Sequence, residues 1–428
     1  MSAGVVTRYA TRKVRRLGAI ATVALTLMLT GWSGSSAYAV ARAGGSLAVA
    51  TTSGTAETGC SAAKPASFAP QSVAGLFETD LTTHQRFKAV RALAGDDADP
   101  VVITGGDLYV TYYLTYDHGN NYVCTRIARI PLSGGPVVQS PWRAFSGNLV
   151  VAYGSVWMAV DTHPDINDAQ VLYELRPATL SVEREISLPS PYDDGGLAAS
   201  DGAIWIGDLR GTSLGRVDAR TGSFTRVALP GLKKYRSTDQ VVAGPGGGTL
   251  YVVAADSLSP TWSEAIEAFH PSTGRYQVVA GNMRFPVEGL IGVTGDLLWA
   301  SLMGGMAYTV APASTVTLAP IHCAVENVCA FGGFNSTFDV TTDGNLAWMS
   351  HAGGWLECAG APTGTVRAKV RIPGYGPITL GYSEKDSGPS FLAAGDGYLA
   401  VDAQFRGPNG TNLAPEVAIF PIDPRCAP

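Results

Sequence analysis

One pattern recurs along this chain: an apolar strand, a Gly/Asp turn, and a second strand carrying an aromatic residue. It reads VVITGGDLYVTYY from Val101, LVVAYGSVWMAVD from Leu149, LAASDGAIWIGD from Leu197 and VVAGPGGGTLYVVAAD from Val241. It returns as LIGVTGDLLWAS from Leu290, FDVTTDGNLAWMSH from Phe338 and FLAAGDGYLAVDA from Phe391. The aligned positions are Tyr109, Trp157, Trp205, Tyr251, Trp299, Trp348 and Leu399, spaced by 48, 48, 46, 48, 49 and 51 residues. Seven units of this regularity, here called units one to seven, constrain the fold more than any single motif.

Each unit continues with a second hairpin, as in LYELRPATLSVEREISLP from Leu172, LGRVDARTGSFTRVALP from Leu214 and IEAFHPSTGRYQVVAG from Ile266. The strands are short, β-branched and bounded by Gly, Pro, Asp and Ser, and no stretch sustains a 3.6-residue apolar period. Four short antiparallel strands per unit, repeated seven times, predict an all-β fold: a seven-bladed β-propeller of four-stranded blades. One blade cannot bury both of its faces, so blades stack, and the Trp/Tyr series is expected between them. A pair of β-sandwiches would not repeat one unit seven times, and a β-helix coil is usually shorter. Residues 74–95 match the second hairpin of a unit and are expected to complete the last blade and close the ring.

The first residues read as an address. Arg8, Arg12, Lys13, Arg15 and Arg16 precede the apolar run Leu17 to Leu29, and Ala37-Tyr38-Ala39 fits a small-residue cleavage site. That is the layout of a secretory signal, with too few apolar residues for a comfortable membrane span. The expected organisation is a signal peptide at 1–39, a flexible segment at 40–70 and the propeller at 71–428. Cleavage takes the net charge from −5 to −10, which disfavours stable membrane insertion or adhesion to anionic lipid and excludes the basic footprint of a nucleic-acid binder. Seven Lys against 23 Arg suit a high-GC bacterial source. All six cysteines follow the signal, without a C-x-x-C, so an exported chain with up to three disulfides is expected. The pairs favoured are Cys323–Cys329, close in sequence, and Cys60–Cys426, near the two ends; Cys124 and Cys358 are left unassigned.

The runs Asp201-Gly202-Ala203-Ile204-Trp205-Ile206-Gly207-Asp208 and Asp343-Gly344-Asn345-Leu346-Ala347-Trp348 resemble the blade signature of the streptogramin-lyase, YVTN and NHL group of β-propellers. Val217 to Gly222, VDARTG, is similar to that group and to quinoprotein propellers. The resemblance spans about 330 residues and implies the propeller fold. Where the lyase commonly carries a Glu after its W-F-T stretch, this chain has Asp208, Ser301 or Ser350-His351, so the resemblance implies little about the reaction.

Candidate chemistry sits where the second strand of each unit ends, because the loops there line one mouth of a propeller. Those positions are Asp161, Asp208, Asp256, Ser301, His351 and Asp402, with His163 close behind Asp161. Carboxylates in a ring suit a hard cation such as Ca²⁺ or Mg²⁺, or the hydroxyls of a glycan. Equally, an Asp at a strand end serves an Asx turn. Trp262 and Trp355 lie on loops where an aromatic can stack on a sugar or an apolar small molecule. His351, close in sequence to Trp348, Trp355 and Glu357, is the candidate general acid or base. Nucleophile-elbow, zinc-protease and phosphate-loop motifs do not occur. The expected function is an exported binding protein for a glycan, small molecule or secreted protein. A metal-assisted lyase or hydrolase using His351 is the alternative, and a quinoprotein-like dehydrogenase a further one.

Overall fold

The computed structural model describes residues 69–70, 77–80, 83–94, 98–116, 123–141, 144–145, 149–160, 168–208, 211–232, 235–256, 263–283, 287–294, 297–302, 307–310, 316–317, 337–343, 346–351, 355–360, 365–371, 392–403 and 416–426. Among these the only helices are three short 3₁₀ turns; the rest of the regular structure is strand, and every pairing is antiparallel. No helix among the described residues is long and apolar enough to cross a membrane.

The sheets follow the sequence units. Unit four forms a sheet of Ser237–Ala243, Leu250–Asp256, Ser263–His270 and Arg275–Met283, and unit five one of Val287–Thr294, Leu297–Leu302, Ala307–Val310 and Val316–Thr317. Unit one runs Ala98–Thr104, Asp107–Tyr116, Val123–Pro131 and Val138–Gln139. Units two and three share one seven-stranded sheet. The 19-residue strand Val182–Ser200 pairs with Asp168–Leu175 at one end and with Ala203–Asp208 at the other, so it is the last strand of one unit and the first of the next.

The turn between first and second strands explains the repeated Gly/Asp pairs. At Asp201-Gly202 φ is 52° and 68°, and at Asp396-Gly397 it is 51° and 78°. Two successive positive φ values define the type I′ turn whose twist matches a two-residue hairpin, which is why Asp-Gly is favoured there. The second hairpin of unit three is held differently: Asp218 Oδ1 accepts from the Thr221 N–H at 2.7 Å and from its hydroxyl at 2.8 Å. Those bonds hold the Asp218 carboxyl below the usual carboxylate range.

Aromatic residues at the repeat position fill the seams between units. Trp157, Trp205 and Trp348 are almost wholly buried. Trp157 packs with Ile204, Ile206 and Val217 of unit three, and Trp205 with Leu250, Val252 and Phe269 of unit four. Trp348 packs with Leu399, Val401 and Phe420 of unit seven. A fully buried Leu or Phe in such a seam contributes roughly 1.5–3 kcal/mol. The indole N–H of Trp205 donates to the Ser200 carbonyl at 3.0 Å and that of Trp157 to the Ala152 carbonyl at 3.2 Å, so an indole is buried there with its polar atom satisfied. The first strands of successive units also lie side by side. Ala98–Thr104 neighbours Leu149–Ala152, the series continues through each unit, and Leu392–Gly395 of unit seven packs against Ala98–Thr104 of unit one. Leu93, Ala400 and Ile419 form one cluster with Ile103, Leu108 and Ile130 of unit one.

The N-terminal segment departs from expectation. It divides between two sheets. Phe77–Asp80 and Arg86–Lys88 form a hairpin added to the outer strand of unit six, Thr365–Arg371. Arg91–Ala94 alone joins unit seven, pairing with Glu416–Pro421. Among the described residues unit seven has three strands of its own, Leu392–Gly395, Tyr398–Ala403 and Glu416–Pro421, to which Arg91–Ala94 adds a fourth. Ala69–Pro70, just before the expected domain start at 71, pairs with Leu93 and Ala94.

A second correction concerns the cysteines. Cys426 is bonded to Cys358, not to Cys60, with the two Cα atoms 6.2 Å apart. The reason lies in the C-terminal 3₁₀ turn Pro424–Cys426, which packs on the third and fourth strands of unit six and brings Cys426 to Cys358 on the third. Cys60, Cys323 and Cys329 lie outside the described residues.

The same turn carries Arg425, which ties the hairpin of Phe77–Asp80 and Arg86–Lys88 to the turn Pro424–Cys426. Its guanidinium donates to Asp80 and Asp423 at 2.5 Å each. Burial alone would raise the Asp80 carboxyl, but hydrogen bonds from the Thr83 N–H and hydroxyl and from Arg425 outweigh it and hold it below its ordinary value. Arg425 is itself held above the usual guanidinium range by Asp423 and then Asp80. Arg425→Met leaves two buried carboxylates without their cation. A fully buried pair broken this way costs 3–5 kcal/mol; with Arg425 37% exposed, about 2 kcal/mol is expected. Asp80 contributes stability above its unfolded value near 3.8 that is lost as pH falls through its lower folded value. In the variant that folded value rises, so the acid-unfolding midpoint, followed by circular dichroism, moves to higher pH.

Candidate functional site

Register places the candidate residues at equivalent points. Asp208 closes the second strand Ala203–Asp208, Asp256 closes Leu250–Asp256, and His351 closes Leu346–His351. Ser301 and Asp402 are the penultimate residues of Leu297–Leu302 and Tyr398–Ala403. Within its sheet His351 lies opposite Thr337 on one side and Trp355 on the other. Asp256 lies opposite Ser263, and Asp402 opposite Val417. Asp161, His163 and Trp262 lie outside the described residues.

Asp208 serves the fold rather than an open mouth. It is only 3% exposed, and its Oδ2 accepts from Arg226 at 2.5 Å and from the Ser213 hydroxyl. Arg226 Nε donates to that hydroxyl at 2.7 Å. The Asp208 N–H donates to Thr238 Oγ1 of unit four at 2.5 Å, and Thr238 lies 2.9 Å from the Ser213 carbonyl. This carboxylate therefore neutralises an arginine on its own sheet at the junction with the next unit. A ligand reaching it would have to displace Arg226.

Two buried carboxylates escaped the sequence reading as a pair. Glu357 lies opposite Met349 in unit six, and Glu267 lies opposite Val252 in unit four. Counting from the repeat aromatics Trp348 and Tyr251, these are the same position, and both side chains are wholly buried. Glu357 is opposite Lys369 on the fourth strand, and Lys369 Nζ is 3.0 Å from its Oε1. Glu267 is opposite Val278 there. The signal available was a Glu sharing a strand face with Phe269, which alternation puts toward the core. In the ladder the Met349–Glu357 pair lies two positions along from the His351–Trp355 pair. Among the described residues no three His, Cys, Asp or Glu side chains form a cluster able to hold a metal ion.

Antiparallel sheets that follow the repeat units along the chain, completed in units six and seven by N-terminal strands and packed on one another through aromatic seams, define an all-β fold of the β-propeller type. No protein-family model and no curated protein sequence matches the chain. Among solved structures it is similar to BamB from Moraxella catarrhalis, with 11% identity, a TM-score of 0.45 and coverage of 84% of this chain and 94% of that one. It is also similar to the computationally designed Ika8 protein, with 13% identity, a TM-score of 0.44 and coverage of 77% and 93%.

Proposed function

We propose that this chain is an exported, seven-bladed propeller closed into a ring, which binds a ligand or protein partner at the end where the second strands finish. The neighbouring first strands, running from unit one to unit seven and back to unit one, support the ring. The shared seam of Leu93 and Ile419 with Ile103 and Leu108 supports its closure. The Cys358–Cys426 bond and the basic, then apolar, N-terminus fit an oxidising compartment reached by a signal at 1–39, followed by a linker to about residue 70 and the propeller beyond it.

The observation that carries the binding reading is the common placement of Asp256, Ser301, His351 and Asp402 at the closing end of their second strands. Polar residues then recur at one end of successive blades, a placement suited to sugar hydroxyls, to a polar peptide or to a hard cation such as Ca²⁺ or Mg²⁺. The test is a titration against glycan fragments and short peptides, with and without Ca²⁺. Asp402→Ala and Trp262→Ala are expected to weaken binding about tenfold or more, roughly 1.4 kcal/mol, with unchanged thermal stability. Binding that ignores these positions but falls on Asp201→Ala, in a turn between first and second strands, would move the site to the other end.

The resemblance to streptogramin lyase keeps a second reading in view, with His351 as acid or base. Glu357, the carboxylate two positions along the same ladder, is already paired with Lys369, which favours binding over catalysis. Turnover of any candidate that is lost in His351→Ala would reverse that preference.

A further inference from the structure

We propose that Glu267 is a pH-sensing residue that controls how firmly the short turn Pro230–Leu232 seats on unit four. This goes beyond the binding reading and does not depend on it. The turn links the outer strand of unit three, Phe224–Ala228, to the first strand of unit four, Ser237–Ala243, and packs on the third and fourth strands of unit four. Gly231 lies so close over Glu267 that a Cβ there would collide with Oε2 and come within 3.0 Å of the Tyr276 ring. Glu267 has no solvent exposure, and neither carboxyl oxygen has a hydrogen-bond partner among the described residues.

Among the described residues its surroundings offer no counter-charge; Lys233 and Lys234, which follow the turn, lie outside them. The second strand presents Leu250, Val252 and Ala254, and the flanking residues on its own strand are Ala265 and Phe269. The fourth strand presents Val278 and Tyr276, the latter the one titratable group there. The turn contributes Pro230, Gly231 and the buried Leu232. Across the seam, unit three presents Trp205, Leu214 and Leu229. Its charged groups on that side are Arg216, placed over the Trp205 ring, and Asp218, 4.0 Å from Arg216. On the opposite face of Glu267's own strand, His270 Nδ1 bonds to Thr249. Unit six is an internal control: the same buried position, Glu357, is answered by Lys369, where unit four has Val278.

Burial pushes the Glu267 carboxyl up to about 7 from an ordinary 4.5. The sign follows from linkage. The closed turn favours the protonated acid, and the opened turn, with Glu267 in water, ionises near 4.5. Closure is therefore firmest at low pH, weakens as pH rises from about 4.5 to about 7, and changes no further above that.

The amides to watch are Leu232, which donates to the Leu229 carbonyl, and Tyr235, which donates to the Leu232 carbonyl. Hydrogen exchange of the full chain, corrected for the intrinsic pH dependence of exchange, should show their opening increase about 40-fold between pH 5 and pH 7 and then level off. Glu267→Gln should abolish that rise. Val278→Lys, which recreates the pair of unit six on a partly exposed position, should flatten it as well and keeps the idea testable if the Gln variant fails to fold. A flat wild-type profile, or a rise that survives in either variant, would overturn the assignment.

Discussion

Replacing both Cys358 and Cys426 by Ala is expected to cost about 4 kcal/mol, the loop-entropy value for a bond spanning 68 residues. The bond crosses from the third strand of unit six to the C-terminal turn, so it encloses all of unit seven's own strands. Without it the unfolded chain regains the freedom of that loop, while the folded chain keeps Arg425 with Asp80 and Asp423. The measurement is the denaturant midpoint of the double variant beside that of the wild type under oxidising conditions, with reduced wild type as the third arm. Reduced wild type should be no more stable than the variant. A variant as stable as the wild type would show that the strand pairings alone hold unit seven in place.

Gly395→Ala is expected to destabilise by about 3 kcal/mol, the upper part of the range for overpacking. Gly395 ends the first strand of unit seven, where a Cβ would collide with the main-chain oxygen of Ile103 in unit one and come within 3.2 Å of Ile103 Cβ. The obstacle is backbone, which cannot rotate aside as a side chain can, so the two first strands must separate. The Gly106 N–H, which donates to Asp396 at 2.8 Å in the adjoining turn, is displaced with them. Gly248→Ala is the control, since nothing lies within 4 Å of its Cβ position and its φ of −81° suits alanine. Thermal unfolding of the two variants should separate them by several degrees. Equal midpoints would mean that units one and seven do not depend on this close approach.

The repeat was legible because its cause is local. A two-residue turn with two positive φ values demands Gly at its second position, a seam demands a large apolar residue, aromatic in six of the seven units, every 46–51 residues, and both constraints leave residues that can be aligned by eye. The division of the N-terminal segment was not legible, because it depends on a side-chain lock, Arg425 on Asp80, that spans 345 residues. The partner of Cys426 was hidden for the same reason: strand patterns do not say where a terminal turn will lie. Asp208 looked like a ligand group because it ends a strand, and its burial comes from Arg226, contributed by a strand whose alternation is too polar to announce it. Glu267 shows the limit from the other side. Alternation puts it inward, but only the seat of Gly231 upon it shows what that placement can do.

The placement of Phe77–Asp80, Arg86–Lys88 and Arg91–Ala94 has a consequence for biogenesis. Their hairpin and single strand are made before units one to five, yet the neighbours that take them into a sheet, Thr365–Arg371 and Glu416–Pro421, are made after those units. The nascent chain must keep that hairpin and strand waiting while units one to five are made, so the sheets of units six and seven can be completed only after the intervening units exist.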